Sequence, residues 1–340
     1  MTPRAWRAAV VAALVAAMLP LVAASGSPIR FGPRMKCKPV AKDGRELACV
    51  VPLPDHIKVR SANVRILLPA GYARSKRAYP VVYMLHGVGD DETSWTNPTR
   101  GDLVPLTSAC QAIFVMPDGG SGSTAGWSSD WADKSFQYES YHTTALRYAV
   151  ASTFRTAGLD KQAIAGMSMG GFGALSYAAR HPGSYRAAAS YSGVVDTMFG
   201  APVTGEFYDA SGQNSVYSTG TPSRRVWGSQ AEHPEVWRAH NPYDLAERLA
   251  GLPMFLSAGR GLPGGTEGDN PAKALNYPTE AAVRHLNDRL ADRLTALGIA
   301  FTDGRYDGGY HDWPYWRAAF TASLTTLMRP LRAATPGCGA

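Results

Sequence analysis

The sequence has 340 residues, 45% of them hydrophobic and 18% charged, which supplies one large core and excludes a disordered or fibrous chain. Its formal net charge of +7 is mild. No Lys/Arg run of five or more occurs, so the basic residues read as scattered over a solvated surface and no nucleic-acid partner is expected.

At the N-terminus, Arg4 and Arg7 precede an apolar run over 8–22, and Val22-Ala23-Ala24 offers the small residues that a signal peptidase reads. The expectation is a signal peptide at 1–24, leaving 25–340 as one secreted or envelope-associated catalytic domain. The run falls short of the roughly 18 apolar residues of a membrane span and no other stretch approaches that length, so no stable span is expected. Loss of Arg4 and Arg7 takes the charge from +7 to +5, since no acidic residue leaves with them. Cys37, Cys49, Cys110 and Cys338 all lie in the exported part, where an oxidising compartment favours disulfides. Cys37 and Cys49 bracket a turn-rich Lys42-Asp43-Gly44 segment and can staple a hairpin, which leaves Cys110 and Cys338 to tie down the C-terminal tail.

Apolar, β-branched runs at 64–68, 81–85, 113–116, 163–165, 187–191, 254–257 and 299–306 predict strands, and the stretches 143–156, 171–180 and 280–297 predict helices. The last carries Ala282, Leu286, Leu290, Leu294 and Leu297 at helical spacing and stops at Gly298. Strands alternating with helices give an α/β fold with a mostly parallel central sheet and helices on both faces. In such sheets the chemistry sits at the C-terminal ends of the strands. A polar, aromatic segment over about 200–240, with Trp227 and Trp237, reads as a cap insertion over the site or as a packed excursion.

Gly166-Met167-Ser168-Met169-Gly170 follows the apolar Ala163-Ile164-Ala165 and precedes a helix-like stretch. A G-x-S-x-G turn between strand and helix holds the serine hydroxyl out into a cleft, and the flanking glycines make room for it. Ser168 is therefore the candidate nucleophile. A serine needs a base to remove its proton and a carboxylate to orient that base. In the order Ser, acid, His, only His311 follows a strand-like run, through a Gly308-Gly309 turn. The acid stays open between Glu267 and Asp269, in the loop after 254–257, and Glu280 at the start of a helix. The oxyanion donors are expected to be the amides of Met169, after the nucleophile, and Val88 in His86-Gly87-Val88-Gly89.

Five motifs carry a family resemblance: Tyr83-Met84-Leu85-His86-Gly87, Val115-Met116-Pro117-Asp118-Gly119-Gly120, Ser129-Asp130-Trp131, Gly166-Met167-Ser168-Met169-Gly170-Gly171 and His311-Asp312-Trp313-Pro314-Tyr315-Trp316. Together they resemble the esterase D superfamily of α/β-hydrolases, and within it the secreted mycolyltransferase and esterase branch of actinobacteria, over about 60–331. The resemblance implies the α/β-hydrolase fold and an acid early in the helix before the last strand, which selects Glu280 over Asp269 and Glu267. His86, Gly87, Asp130, Trp131 and Trp313 become the candidate substrate-binding residues, with His86 also read as loop-shaping. No metal or organic cofactor is implied.

The chain departs from the mycolyltransferases as well. They carry an acidic residue where His86 stands and an arginine shortly after it, whereas here Val88-Gly89-Asp90 follows, and the Gly170-Gly171-Phe172-Gly173 run looks like the plain esterases. Trp95, Trp127, Trp131, Trp313 and Trp316 offer an aromatic platform for a sugar. The function expected is a secreted serine carboxylic-ester hydrolase acting on an acyl ester, lipid or envelope glycolipid through an acyl-enzyme on Ser168. Transfer of the acyl chain to trehalose or another envelope alcohol is the alternative, a non-catalytic binding homologue a minor one, and a peptidase shares the machinery.

Overall fold

Three strands open the described chain: β1 (Lys36–Pro39) and β2 (Glu46–Val50), a hairpin cross-linked by the Cys37–Cys49 disulfide, and β3 (Asn63–Leu67). Then come β4 (Val81–Leu85), β5 (Ile113–Pro117), β6 (Gln162–Met167), β7 (Ala188–Tyr191) and β8 (Met254–Ser257), each buried at every residue, and a two-residue edge strand β9 (Thr302–Asp303). The computed structural model describes residues 32–199, 223–264, 270–274 and 276–339. The expected signal peptide at 1–24, residues 200–222 of the expected cap, Glu267 and Asp269 lie outside the described residues.

Among the described residues the strands form one sheet in the order β1-β2-β3-β5-β4-β6-β7-β8-β9. Pairing is antiparallel from β1 through β3 to β5 and parallel from β5 to β9. Successive side chains point to opposite sides, and both faces of the central strands β4 to β8 are covered. Val81, Tyr83 and Leu85 join one core cluster with Phe172, Leu175 and Leu290, while Val82 and Met84 join another with Trp316, Phe320 and Leu324.

Four longer helices supply those layers: α1 (Leu146–Thr153), α2 (Met169–Arg180), α3 (Asn276–Ala296) and α4 (Trp313–Met328). The Cys110–Cys338 disulfide ties the segment after α4 to the one before β5.

Three sequence expectations change. The helix expected over 143–156 begins earlier, at Tyr138, and passes through a π-helical turn at Tyr141–Ala145 before α1. The strand expected over 299–306 is regular only at Thr302–Asp303, although the Gly304 and Tyr306 N–H groups still donate to the Leu256 and Ala258 carbonyls beyond it. Helix α4 was not anticipated, although Asp312 caps it with a side-chain bond to the Trp313 N–H and Pro314 sits in its first turn.

The chain passes from β4 to β5 on one side and returns to β6 on the other, so the strand order reverses at β4. A crevice opens outside the carboxyl ends of the strands at such a point. The loop His86-Gly87-Val88 leaves β4 there, and Ser168 follows β6.

Candidate active site

Ser168 occupies the turn between β6 and α2 with φ 52° and ψ −120°, a strained conformation for a residue with a side chain. Its N–H donates to the Tyr191 carbonyl at 2.9 Å, and its own carbonyl accepts from Phe172 at 3.1 Å. The glycines around it are required by close approach. A Cβ on Gly166 would sit 2.3 Å from the Gly170 carbonyl oxygen, and one on Gly170 would sit 2.5 Å from that of Leu85.

His311 Nε2 lies 3.0 Å from Ser168 Oγ, and His311 Nδ1 lies 2.7 Å from Glu280 Oε2. Among the described residues, Glu280 is thus the carboxylate beside the imidazole. It is fully buried in α3, and its other oxygen accepts from Ser192 Oγ at 2.8 Å and from the Gly259 N–H at 2.6 Å. A buried carboxylate needs such donors to keep its charge. Burial, reinforced by the Glu280 charge, pushes the Tyr306 hydroxyl well above its ordinary pKa, so this neighbour stays neutral. The turn that delivers His311 uses left-handed backbone at Gly308 and Gly309, with φ 74° and 82°. Next to His311, Asp312 pairs with Lys273 at 2.5 Å.

The Met169 amide lies in the first turn of α2, where N–H groups have no intrahelical acceptor. On the opposite wall, a Cβ on Gly87 would lie 3.2 Å from Ser168 Cβ, so the backbone leading to Val88 runs against the serine. His86 holds that loop in shape. It is buried, its Nε2 accepts from the Gly119 N–H at 2.7 Å, and its Nδ1 therefore carries the proton and donates to the Gly87 carbonyl at 2.7 Å. With both ring nitrogens engaged, the imidazole has the loop-shaping role. Two residues beyond Val88, Asp90 pairs with Arg100 at 2.8 Å. An acid and an arginine therefore pair on this loop, at positions other than that of His86. Burial raises the Asp90 pKa, and the Arg100 guanidinium and bonds from Ser94 and Trp313 oppose the rise only in part.

Other expected site residues are engaged elsewhere. The Asp130 carboxylate accepts from the Ser140 N–H at 2.9 Å and from Ser140 Oγ at 2.5 Å. Trp131 is buried, donates to the Gly126 carbonyl at 3.2 Å and packs edge-on against Phe136. Trp313 packs between Trp95 and Trp316. Trp95, Trp127, Trp131, Trp313 and Trp316 are all buried, so none offers an open aromatic face to a sugar. In the described part of the expected cap, Trp227 and Trp237 are 1% and 2% exposed and join the core. Sequence reasoning missed Ser192, Asn276 and the pairing of Asp90 with Arg100. Ser192 has positive φ at 46° just past β7, a strand-end position without a motif to mark it.

A family model described as Esterase matches residues 58–327. Esterase Rv1288 of Mycobacterium tuberculosis is 32% identical over 284 residues, covering 82% of this chain but 58% of its own length, so the chain spans little more than half of that relative. Diacylglycerol acyltransferase/mycolyltransferase Ag85A of Mycobacterium gordonae is 28% identical over 305 residues, covering 84% of this chain and 83% of its own. Among solved structures, MPT51 (FbpC1) of Mycobacterium tuberculosis superimposes with a TM-score of 0.61 at 20% identity, covering 84% of this chain and 97% of its own. That likeness shows the α/β-hydrolase fold.

Proposed function

This chain belongs to the Esterase family, and from that premise we propose that it is a secreted serine carboxylic-ester hydrolase in which Ser168 carries the acyl group. The observation that carries the reading is the continuous line Ser168 Oγ, His311 Nε2, His311 Nδ1, Glu280 Oε2, with gaps of 3.0 and 2.7 Å.

In the proposed cycle Ser168 Oγ attacks the ester carbonyl while His311 Nε2 takes its proton. The tetrahedral oxyanion sits between the Met169 and Val88 amides, each donor contributing roughly 10²- to 10³-fold in rate. The C–O bond to the alcohol breaks as His311 returns the proton to the leaving oxygen. Water, deprotonated by the same nitrogen, then attacks the acyl-enzyme and releases the acid and Ser168. Glu280 holds the Nδ1–H and stabilises the imidazolium. Export is part of the reading: two disulfides suit an oxidising compartment, and among the described residues no helix is long and apolar enough to cross a membrane.

One observation favours a second reading, transfer to an alcohol. The Asp90–Arg100 pair stands on the loop that carries Val88 and provides polar groups for a hydroxylic acceptor. Transfer must outcompete water at roughly 55 M, which requires a bound acceptor and a dry cleft. The buried tryptophans leave such an acceptor no platform, so hydrolysis is the primary reading. The test is to offer the mature protein a short-chain acyl ester with millimolar trehalose. Free acid as the main product is expected, and predominance of acylated trehalose reverses the order.

A further inference from the structure

The positive charge is concentrated in one part of the chain. Residues 34–77 hold eleven Lys/Arg against three Asp/Glu, a net of +8, whereas residues 78–340 hold twenty Lys/Arg against twenty-four Asp/Glu, a net of −4. Most of the basic part forms β1–β3 and their connections, so the even scatter expected from the sequence gives way to a charged sheet edge.

Register sorts these residues by face. Opposite residues of an antiparallel pair point to the same side. Lys36 pairs with Val50 and Lys38 with Ala48, and these pair in turn with Asn63 and Arg65. The other side carries Cys49, Val64 and Ile66 into the core. Helix α4 covers the first side further along the sheet, where Arg65 pairs with Met116, but that cluster takes Leu67 from β3 and no residue from β1 or β2. Lys36, Lys38, Ala48, Val50 and Asn63 are therefore exposed and Arg65 half-buried. Val50 is 50% exposed, as is Val40 just beyond β1. Arg65 pairs with Glu46, while among the described residues Lys36 and Lys38 have no acidic partner.

We propose that this face docks on the surface of an anionic lipid bilayer, with Lys36 and Lys38 against the headgroups and Val50 in the interfacial layer. Charge complementarity selects an anionic partner. The aliphatic side chains select a lipid surface over a soluble polyanion, since only an interface removes them from water while satisfying the ammonium groups. Lysine and proline on an edge strand also discourage pairing with other chains, which accounts for Lys36, Lys38 and Pro39 but leaves the exposed Val50 and the concentration of charge unexplained. The face reaches the cleft end of the sheet: Val64 pairs with Pro117 at the carboxyl end of β5, and β6 ends on that side with Ser168 next. Docking there holds the cleft end near lipid.

The test is co-sedimentation of the mature chain with vesicles of mixed phosphatidylglycerol and phosphatidylcholine, and with pure phosphatidylcholine, at low and high salt. Binding to the anionic vesicles alone, weakening with salt, is expected. Lys36→Ala and Lys38→Ala each lower the partition about fivefold, and Val50→Ser lowers it several-fold while all three keep the wild-type melting temperature. Equal binding to neutral vesicles, no binding at low salt, or binding to heparin that matches the vesicles and ignores Val50→Ser overturns the proposal. None of these readouts depends on ester turnover, so they fail or succeed apart from the hydrolase reading.

Discussion

Asn276 grips the main chain of His311 from both sides: the His311 N–H donates to the Asn276 carbonyl at 3.1 Å, and Asn276 Nδ2 donates to the His311 carbonyl at 3.0 Å. Because Asn276 and Glu280 lie one turn apart on α3, the helix that carries the candidate acid also fixes the loop that carries the candidate base. Asn276→Ala removes one of the two bonds. A small displacement of the base costs up to about 10²-fold, so kcat is expected to fall between about 10-fold and about 100-fold with KM nearly unchanged. An unchanged kcat removes Asn276 from the positioning of His311.

Glu280→Gln keeps the shape and removes the charge. The loss expected in kcat is about 10⁴-fold, because only a carboxylate holds the working tautomer and stabilises the imidazolium. Ser192→Ala, which leaves the Gly259 N–H on Glu280 Oε1, costs at most about tenfold. Steady-state kinetics on a soluble ester distinguish the two, and a larger loss at Ser192 contradicts the assignment.

The two disulfides differ in the loops they close, with sequence separations of 12 for Cys37–Cys49 and 228 for Cys110–Cys338. Constraint of the unfolded chain then gives about 3 kcal/mol for the first and about 5 kcal/mol for the second. Urea unfolding of the paired Cys→Ser variants is expected to show the larger loss for Cys110 and Cys338. The reverse ranking means that the tail contributes little to the core.

Acid should destabilise the protein in two stages. Burial pushes the His142 pKa down to about 4, below its unfolded value, so the unfolded chain takes up the proton first. Its contribution, about 3 kcal/mol, is complete above pH ~6.5 and is lost as the pH falls towards 4. Burial alone would raise the Glu139 pKa, but bonds from His181 and Arg180 outweigh it and hold the group at about 2. That contribution is present above pH ~4.5 and is lost as the pH falls towards 2. Urea midpoints from pH 8 to 3 should decline through both windows, and His142→Gln should flatten the upper one. A wild-type midpoint that is constant between pH 6.5 and 4.5 contradicts the His142 assignment.

The central strands and the Ser168 elbow were legible because their cues are local: uniform burial gives uninterrupted apolar runs, and close backbone approach demands glycine. His311 could be singled out as the candidate base because chain order and a Gly-Gly turn point to one place, and the structure sets its ring beside Ser168 and Glu280. The start of α4 was hidden by its own aromatics, since Trp313 and Trp316 read as a ligand platform when they in fact pack on Trp95 and His311. Ser192, Asn276 and the Asp90–Arg100 pair are contacts between distant segments, and no local pattern encodes those. The basic excess was visible as a number, but only strand register puts Lys36, Lys38 and Arg65 on one face.

The central claim is that Ser168 carries the acyl group, and fluorophosphonate labelling followed by peptide mass spectrometry tests it most directly. One phosphonyl group is expected, on Ser168. Ser168→Ala is expected to show no label, turnover reduced at least about 10⁴-fold, and a stability within about 1 kcal/mol of the wild type. A label on another residue, or an alanine variant that keeps its turnover, means that Ser168 does not carry the acyl group.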